Sequence, residues 1–184
     1  MKIPSTPGVV FDYMEENLFY EYKQDLLKTL KEGYKVIDIG GGKGNSDVLI
    51  AQKVGDTGQV INIEGDKIQV ELSIENAQKN GVSHIMSSYY QYVSEDDPLQ
   101  FEDDYFDVAY ANRVLCIAGE YKEVLSEMVR VVKPGGQIIA SCPDISTFSS
   151  SLLNLEKEYV LKTQVRNLWG NSYPFTKNFL EDFQ

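Results

Sequence analysis

The stretch with the most chemical potential is Asp38-Ile39-Gly40-Gly41-Gly42-Lys43-Gly44. Glycines packed this closely let a backbone turn sharply and let a ligand approach without meeting a side chain. If a helix follows, its first N–H groups have no intrahelical partner and face that ligand. The spacing is acid-x-Gly-x-Gly-x-Gly, with a carboxylate ahead of the glycines. A carboxylate at that point repels a pyrophosphate and attracts an ammonium or a sulfonium. A second acid, Glu64, lies about twenty residues further on, the distance at which a strand-end carboxylate accepts hydrogen bonds from a ribose diol.

These residues need strands to hold them, and the pattern supplies them. Lys35-Val36-Ile37-Asp38-Ile39 is a short β-branched run stopped by the glycines, which predicts a first buried strand. Asn45 is placed to cap a helix carrying Val48, Leu49 and Val54, closed by Gly55 and Gly58. Gln59 to Ile63 reads as a second strand. Asp66 is placed to cap a helix with Val70, Ile74 and Ala77 inward, stopped by Asn80-Gly81. His84 to Ser87 reads as a third strand, Phe106 to Ala111 as a fourth and Gln137 to Cys142 as a fifth. Tyr121, Leu125, Met128 and Val132 mark a helix before the turn Lys133-Pro134-Gly135-Gly136. Ahead of all this, Met14, Leu18, Tyr22, Leu26 and Leu30 form a helical stripe ended by Gly33. Alternating strand and helix predicts an α/β domain, a doubly wound, mostly parallel sheet with helices on both faces.

In order along the chain, four blocks resemble the class I S-adenosylmethionine-dependent methyltransferases. Val36 to Gly44 resembles their first motif, and Gly58 to Glu64 their second strand with its ribose acid. Phe106 to Leu115 is similar to the fourth strand and the loop beyond it. Glu127 to Gly136 is similar to the helix and turn before the fifth strand. The resemblance runs from about Lys35 to Cys142 and implies a Rossmann-like fold and S-adenosylmethionine as cofactor. It implies that Gly40, Gly41 and Gly42 pass the methionine moiety, with Asp38 supporting the turn, and that Glu64 binds the ribose. Gly65 and Asp66 would lie beside the adenine, and Asn112 and Arg113 would line the methionine and the transfer face. Many relatives carry an acid after the third strand for the adenine amino group. Here the stretch reads Ser87-Ser88-Tyr89, which leaves Ser88 as an acceptor or Tyr89 as a stacking ring.

The implied layout is one domain: a leading helical cap over 1–34, a cofactor-binding core over 35–142 and a helical substrate-side segment over 143–184. Family members add a sixth and a seventh strand, which the expected sheet lacks: the sequence stops where the helix before the sixth strand would begin, and a truncated piece, a partner chain supplying the edge and a shorter sheet stay open. A bare edge strand tends to pair, so a homodimer or a partner chain at the sheet edge is the expectation. The later segment resembles small-molecule methyltransferases, which implies a small organic acceptor. Direct displacement at an activated methyl group needs alignment and exclusion of water more than a base. No catalytic residue is assigned.

Other candidates are set against plainer readings. His84, the lone histidine, reads as structural or surface rather than as a base. Cys116 and Cys142 read as small core residues. Arg113 is open between pairing with a ligand carboxylate and bridging a nearby acid. Tyr89, Tyr90 and Tyr92 are open between walling a pocket and packing a loop, as are Tyr13 and Tyr20 between covering the cofactor and plain packing. Asp144 is a substrate-side candidate against a turn-capping reading. The acidic runs Glu95-Asp96-Asp97 and Glu102-Asp103-Asp104 read as solvated surface.

Bulk properties narrow the partners. The chain has 184 residues, a size suited to one domain, and is 42% hydrophobic and 24% charged. Its net charge of −11 argues against nucleic acid and anionic membrane, which need a basic face. Two cysteines and no leader pattern fit a cytoplasmic protein without disulfides. No metal-ligand spacing is present. Two rival functions stay in view: a non-catalytic cofactor-binding subunit acting with a partner, and a nicotinamide-dependent dehydrogenase, which Asp38 and the glycine spacing disfavour.

Overall fold

The computed structural model describes Gln24 and residues 27–115, 118 and 121–141. Of the expected leading helix, a helical Gln24 and a 3₁₀ turn, Leu27–Thr29, are described, and the rest lies outside the described residues. Then come β1 (Lys35–Ile39), α1 (Asn45–Val54), β2 (Gln59–Glu64), α2 (Lys67–Lys79) and β3 (Met86–Tyr90). β4 (Phe106–Asn112), α3 (Tyr121–Val131) and β5 (Val132–Ser141) complete the described chain. The five strands form one sheet in the order β3-β2-β1-β4-β5, and every pairing is parallel. The Rossmann-like expectation is met by the described elements.

The strand order reverses beside β1. Two units wind outward from β1 to β3, and the chain then returns to the other side of β1 for β4 and β5. Right-handed crossovers therefore put α1 and α2 on one face and α3 on the other. At such a reversal the loops after β1 and β4 diverge and leave a crevice at the carboxyl edge of the sheet. The glycine turn follows β1 and Arg113 follows β4, so both stand at that crevice.

A sheet covered on both faces needs strands that are apolar throughout. Val36, Ile37, Val60, Phe106 and Val108 are accordingly 0% exposed. α3 turns Val124, Leu125, Met128 and Val131 inward, each burial being worth about 1.5–3 kcal/mol.

Four local expectations need correction. On α2, Ile74 is exposed rather than inward, and Ser73 takes the buried place between Val70 and Ala77. The third strand is Met86–Tyr90, not His84 to Ser87, because Val60 N–H pairs with Ile85 O and the ladder continues to Glu64 opposite Tyr90. The cap of α1 is Gly44 in the left-handed region (φ 78°), with no side-chain cap bond, while Asn45 Oδ1 accepts from Asn76 Nδ2 at 3.1 Å. The fifth strand begins at Val132, ahead of the Pro-Gly-Gly turn. That turn is carried inside β5 as a bulge: Phe106 pairs with Val132, but Val108 already pairs with Gln137. Asp66 does cap α2, accepting from Ile68 N–H at 2.8 Å, and Gly55 closes α1.

The loop between β3 and β4 is anchored more firmly than a solvated run implies. Glu95, Asp96 and Glu102 are exposed as expected. Arg130, however, reaches from α3 to Asp103 (2.7 Å), Phe101 O (2.8 Å) and Leu99 O (2.9 Å). Glu127 holds the same guanidinium at 2.7 Å and accepts Leu99 N–H at 2.7 Å. The hydrogen bond from Arg130, aided by its charge, keeps the Glu127 carboxyl below the usual range.

Candidate functional site

The glycine turn is pinned from two sides. Glu64, at the end of β2, accepts Gly42 N–H at 2.9 Å through one oxygen and Asp66 N–H at 2.9 Å through the other. From beneath, Asn62 donates to Gly42 O at 3.1 Å and to Ser73 Oγ at 3.0 Å. Ser73 Oγ continues to Ser88 Oγ at 2.8 Å. On the far side, Asn76 donates to Lys43 O at 3.1 Å. The turn is therefore preformed, with β1, β2, α2 and β3 all contributing to it.

The register explains why these residues meet. Asp38 on β1 lies opposite Asn62 on β2 and opposite Tyr110 on β4. Asn62 in turn lies opposite Ser88 on β3. A polar row, Tyr110-Asp38-Asn62-Ser88, thus crosses four strands of an otherwise apolar sheet, directly below the turn. α1 adds Asp47 to this layer and α2 adds Ser73, both 0% exposed.

Close packing at the turn accounts for its glycines. A Cβ on Gly41 would stand 2.6 Å from Asp47 Oδ2 and 2.7 Å from Asn62 Oδ1. Gly40 (φ 73°) is covered by the Val114 side chain, and Gly44 by Ser73 and Met86.

Charge in this layer is one-sided. Asp38 is 1% exposed. Burial pushes its carboxyl well above the usual range, and the neighbouring Asp47 and Glu64 charges push it further. Burial also raises Asp47, to about 7, against the lowering effect of its hydrogen bonds to Asp38 and to its own backbone. Two acids facing each other in a dry layer cannot both ionise cheaply, so the pair keeps a proton near neutrality.

The remaining expected site residues fall around this centre. Gly65 and Asp66 are exposed just beyond Glu64, and a Cβ on Gly65 would meet the Tyr92 ring at 3.3 Å. Ser88 turns its hydroxyl inward to Ser73, whereas Tyr89 is half exposed on β3 and Tyr90 lies under Lys67 Nζ at 4.9 Å. Asn112 ends β4 half-buried, and Arg113 follows it, buried and in the left-handed region (φ 65°). His84 pairs with Asp56 at 3.0 Å on the surface, as its structural reading expects. Cys116, Cys142, Asp144, Tyr13 and Tyr20 lie outside the described residues. Among the described residues no cluster could hold a metal ion, and no helix is long and apolar enough to cross a membrane.

Sequence reasoning missed Asp47, Asn62, Ser73 and Tyr110. One signal was available: Asn62 interrupts Val60-Ile61-Asn62-Ile63, and a polar residue inside a buried strand demands a partner. For Asp47 and Ser73 there was none, because each reads as an ordinary polar position on a helix.

A family profile described as a methyltransferase domain matches residues 30–175. A ubiquinone/menaquinone biosynthesis C-methyltransferase from Vibrio campbellii is 30% identical over 130 residues, 70% of this chain and 47% of that protein. Sterol methyltransferase-like 3 from Botryococcus braunii is 30% identical over 125 residues, 67% of this chain and 30% of that protein. The chain thus spans less than half the length of these curated relatives. The crystal structure of a SAM-dependent methyltransferase from Aquifex aeolicus superposes with a TM-score of 0.63 at 18% identity, covering 90% of this chain and 88% of that one, a likeness of fold. The chain belongs to the methyltransferase domain family.

Proposed function

We propose that this chain binds S-adenosylmethionine at the glycine turn and transfers its methyl group to a small organic acceptor. One observation carries the reading: Glu64 and Asp38 bracket the turn, one carboxylate holding Gly42 N–H from above and the other buried below. That arrangement suits a ligand with a sugar diol at one end and a cationic amino acid at the other. When bound, the cofactor supplies an activated methyl group.

The chain's own residues would divide the work. Glu64 takes the ribose hydroxyls, with Gly65 and Asp66 beside the base and Ser88 or Tyr89 near its rim. Gly40, Gly41 and Gly42 leave room for the methionine backbone, and Asp38 supports them. Asn112 and Arg113 border the transfer face from the far side of the crevice. The layout of a leading segment over 1–34 and a substrate-side segment over 143–184 belongs to the same proposal. Water exclusion and alignment supply the rate; no base is assigned.

The names of the two curated relatives, a quinone-biosynthesis enzyme and a sterol methyltransferase-like protein, support an organic acceptor. The net charge of −11 supports a setting away from nucleic acid and anionic membrane surfaces, and a cytoplasmic location belongs to the same proposal. A homodimer or a partner chain against a sheet edge belongs to the same proposal and is tested by sedimentation. For the function itself, titration calorimetry with S-adenosylhomocysteine is the first test, followed by label transfer from S-adenosylmethionine to a panel of quinols and sterols. Absence of binding at millimolar ligand would sink the reading.

A further inference from the structure

We propose that Asp47 is a positioning residue of the glycine turn, holding with Asp38 a proton beneath Gly41 that departs when the ammonium group of a ligand settles on the turn. The inference rests on the cofactor reading above and adds a residue and a linkage to it.

The geometry begins with Asn62. Both of its amide donations are committed, to Gly42 O and to Ser73 Oγ, and this fixes which way the amide faces. Its Oδ1 must then point at the spot below Gly41 where Asp47 Oδ2 also lies, each within 2.7 Å of the position a Cβ would take. Asn62 is 0% exposed, and its Oδ1 meets no donor among the described residues. Apart from each other and the backbone N–H of Asp47 itself, Asp47 Oδ1, Asp47 Oδ2 and Asp38 Oδ1 meet none either. Several buried acceptors from three elements therefore converge with no side-chain donor among the described residues, an arrangement that costs several kcal/mol if both acids are ionised. A proton on the pair removes the conflict, because a neutral carboxylic acid is itself a donor.

The surroundings favour that proton. Glu64 on β2 adds a third negative group, and its charge acts on both aspartates. Tyr110 faces Asp38 from β4, and Ser73 and Ser88 face the layer from α2 and β3 without charge. The charged residues of α2 (Lys67, Glu71, Glu75 and Lys79) are exposed. Lys43 in the turn and Arg113 after β4 are the cations of the adjoining backbone. Asp47 sits in the first turn of α1 and uses its own backbone N–H, which favours charge on Asp47 and the proton on Asp38.

A positive ligand group on the turn changes the balance. It stabilises the ionised pair, and the proton passes to solvent. By linkage the ligand then binds more tightly as pH rises through neutrality.

The test is calorimetry of the full chain with S-adenosylhomocysteine at pH 7, in phosphate and in Tris, whose ionisation heats differ. The wild type is expected to release roughly 0.5–1 proton per ligand, with affinity rising up to about tenfold per pH unit between pH 6 and 8. Asp47→Asn keeps the shape and can donate to Asn62 Oδ1, so it should bind with a release near zero and a flat pH profile. Asp47→Ser is the second variant should the first fail to fold. Proton release unchanged in the variant that folds, or binding by the wild type with no release and no pH dependence, overturns the inference and leaves the cofactor reading standing. No binding by the wild type overturns both.

Discussion

Gly42 N–H donates to Glu64 Oε2 over 2.9 Å, so the turn after β1 is tied to the end of β2 before any ligand arrives. The same carboxylate takes Asp66 N–H through its other oxygen. One side chain thus orders both edges of the proposed ribose site.

Glu64→Gln should lower affinity for S-adenosylhomocysteine by about 10–100-fold, the loss expected when charge-assisted hydrogen bonds become neutral ones. Melting temperature should move by no more than a few degrees, because Gln retains one acceptor for Gly42 N–H. Calorimetry beside thermal melts checks both, and an unchanged affinity counts against Glu64 as the ribose ligand.

Gly41→Ala places a methyl group against Asp47 and Asn62, both fully buried, and should cost about 1–3 kcal/mol with a marked loss of ligand affinity. Gly81→Ala has open space around it but a φ of 70°, so it should cost about 1–2 kcal/mol and leave affinity alone. Urea titrations give the first quantity and ligand titrations the second. Equal effects on binding would mean that the polar layer under the turn does not shape the site.

Stability should fall as pH rises from about 4 to about 7, a window set by the ordinary carboxylate range and the raised Asp47 value. The folded chain keeps protons on Asp38 and Asp47 that the unfolded chain has released. The stability they contribute is full below the unfolded value and is lost as pH rises through the folded one, with a slope of up to about 1.4 kcal/mol per unit per group. Asp107 and Glu127 act the other way. Burial works to raise Asp107, but bonds from Lys133 Nζ (2.7 Å) and Lys35 N–H (2.8 Å) outweigh it and leave it lowered. Their stabilisation is present above the ordinary carboxyl value and lost as pH falls below it. Urea midpoints from pH 3 to 8 should peak on the mildly acidic side, and Asp47→Asn should flatten the neutral limb. A wild-type plateau from pH 5 to 8 would contradict the buried acid pair.

Arg130→Met keeps the aliphatic stem but leaves Phe101 O, Leu99 O, Asp103 and Glu127 without their donor. It should cost about 2–4 kcal/mol, since a partly buried charged partner is stranded. Limited proteolysis should then cut between Ser94 and Asp104 at enzyme levels that leave the wild type whole. Resistance equal to wild type would mean that the loop is held by other contacts.

Period and punctuation made most of the scaffold legible. The β-branched runs of β1 and β2 and the stripe of α3 can bury in only one way, and the Asp38 and glycine spacing has few structural meanings. The boundaries of β3 and β5 were less legible, for reasons outside local pattern. Tyr89 and Tyr90 join β3 because β2 offers a ladder out to Glu64, and the Pro-Gly-Gly turn stays inside β5 because a bulge absorbs its extra residues.

By itself the sequence determined the class of fold, the carboxylate-led turn and the distance to Glu64, since each depends on residues near one another along the chain. Tertiary structure alone decided that Asp47 and Asn62 meet beneath Gly41, with Ser73 bonded to Asn62. That meeting depends on strand register and on helices laid across the sheet, and a polar side chain on a helix carries no mark of which strand it will face.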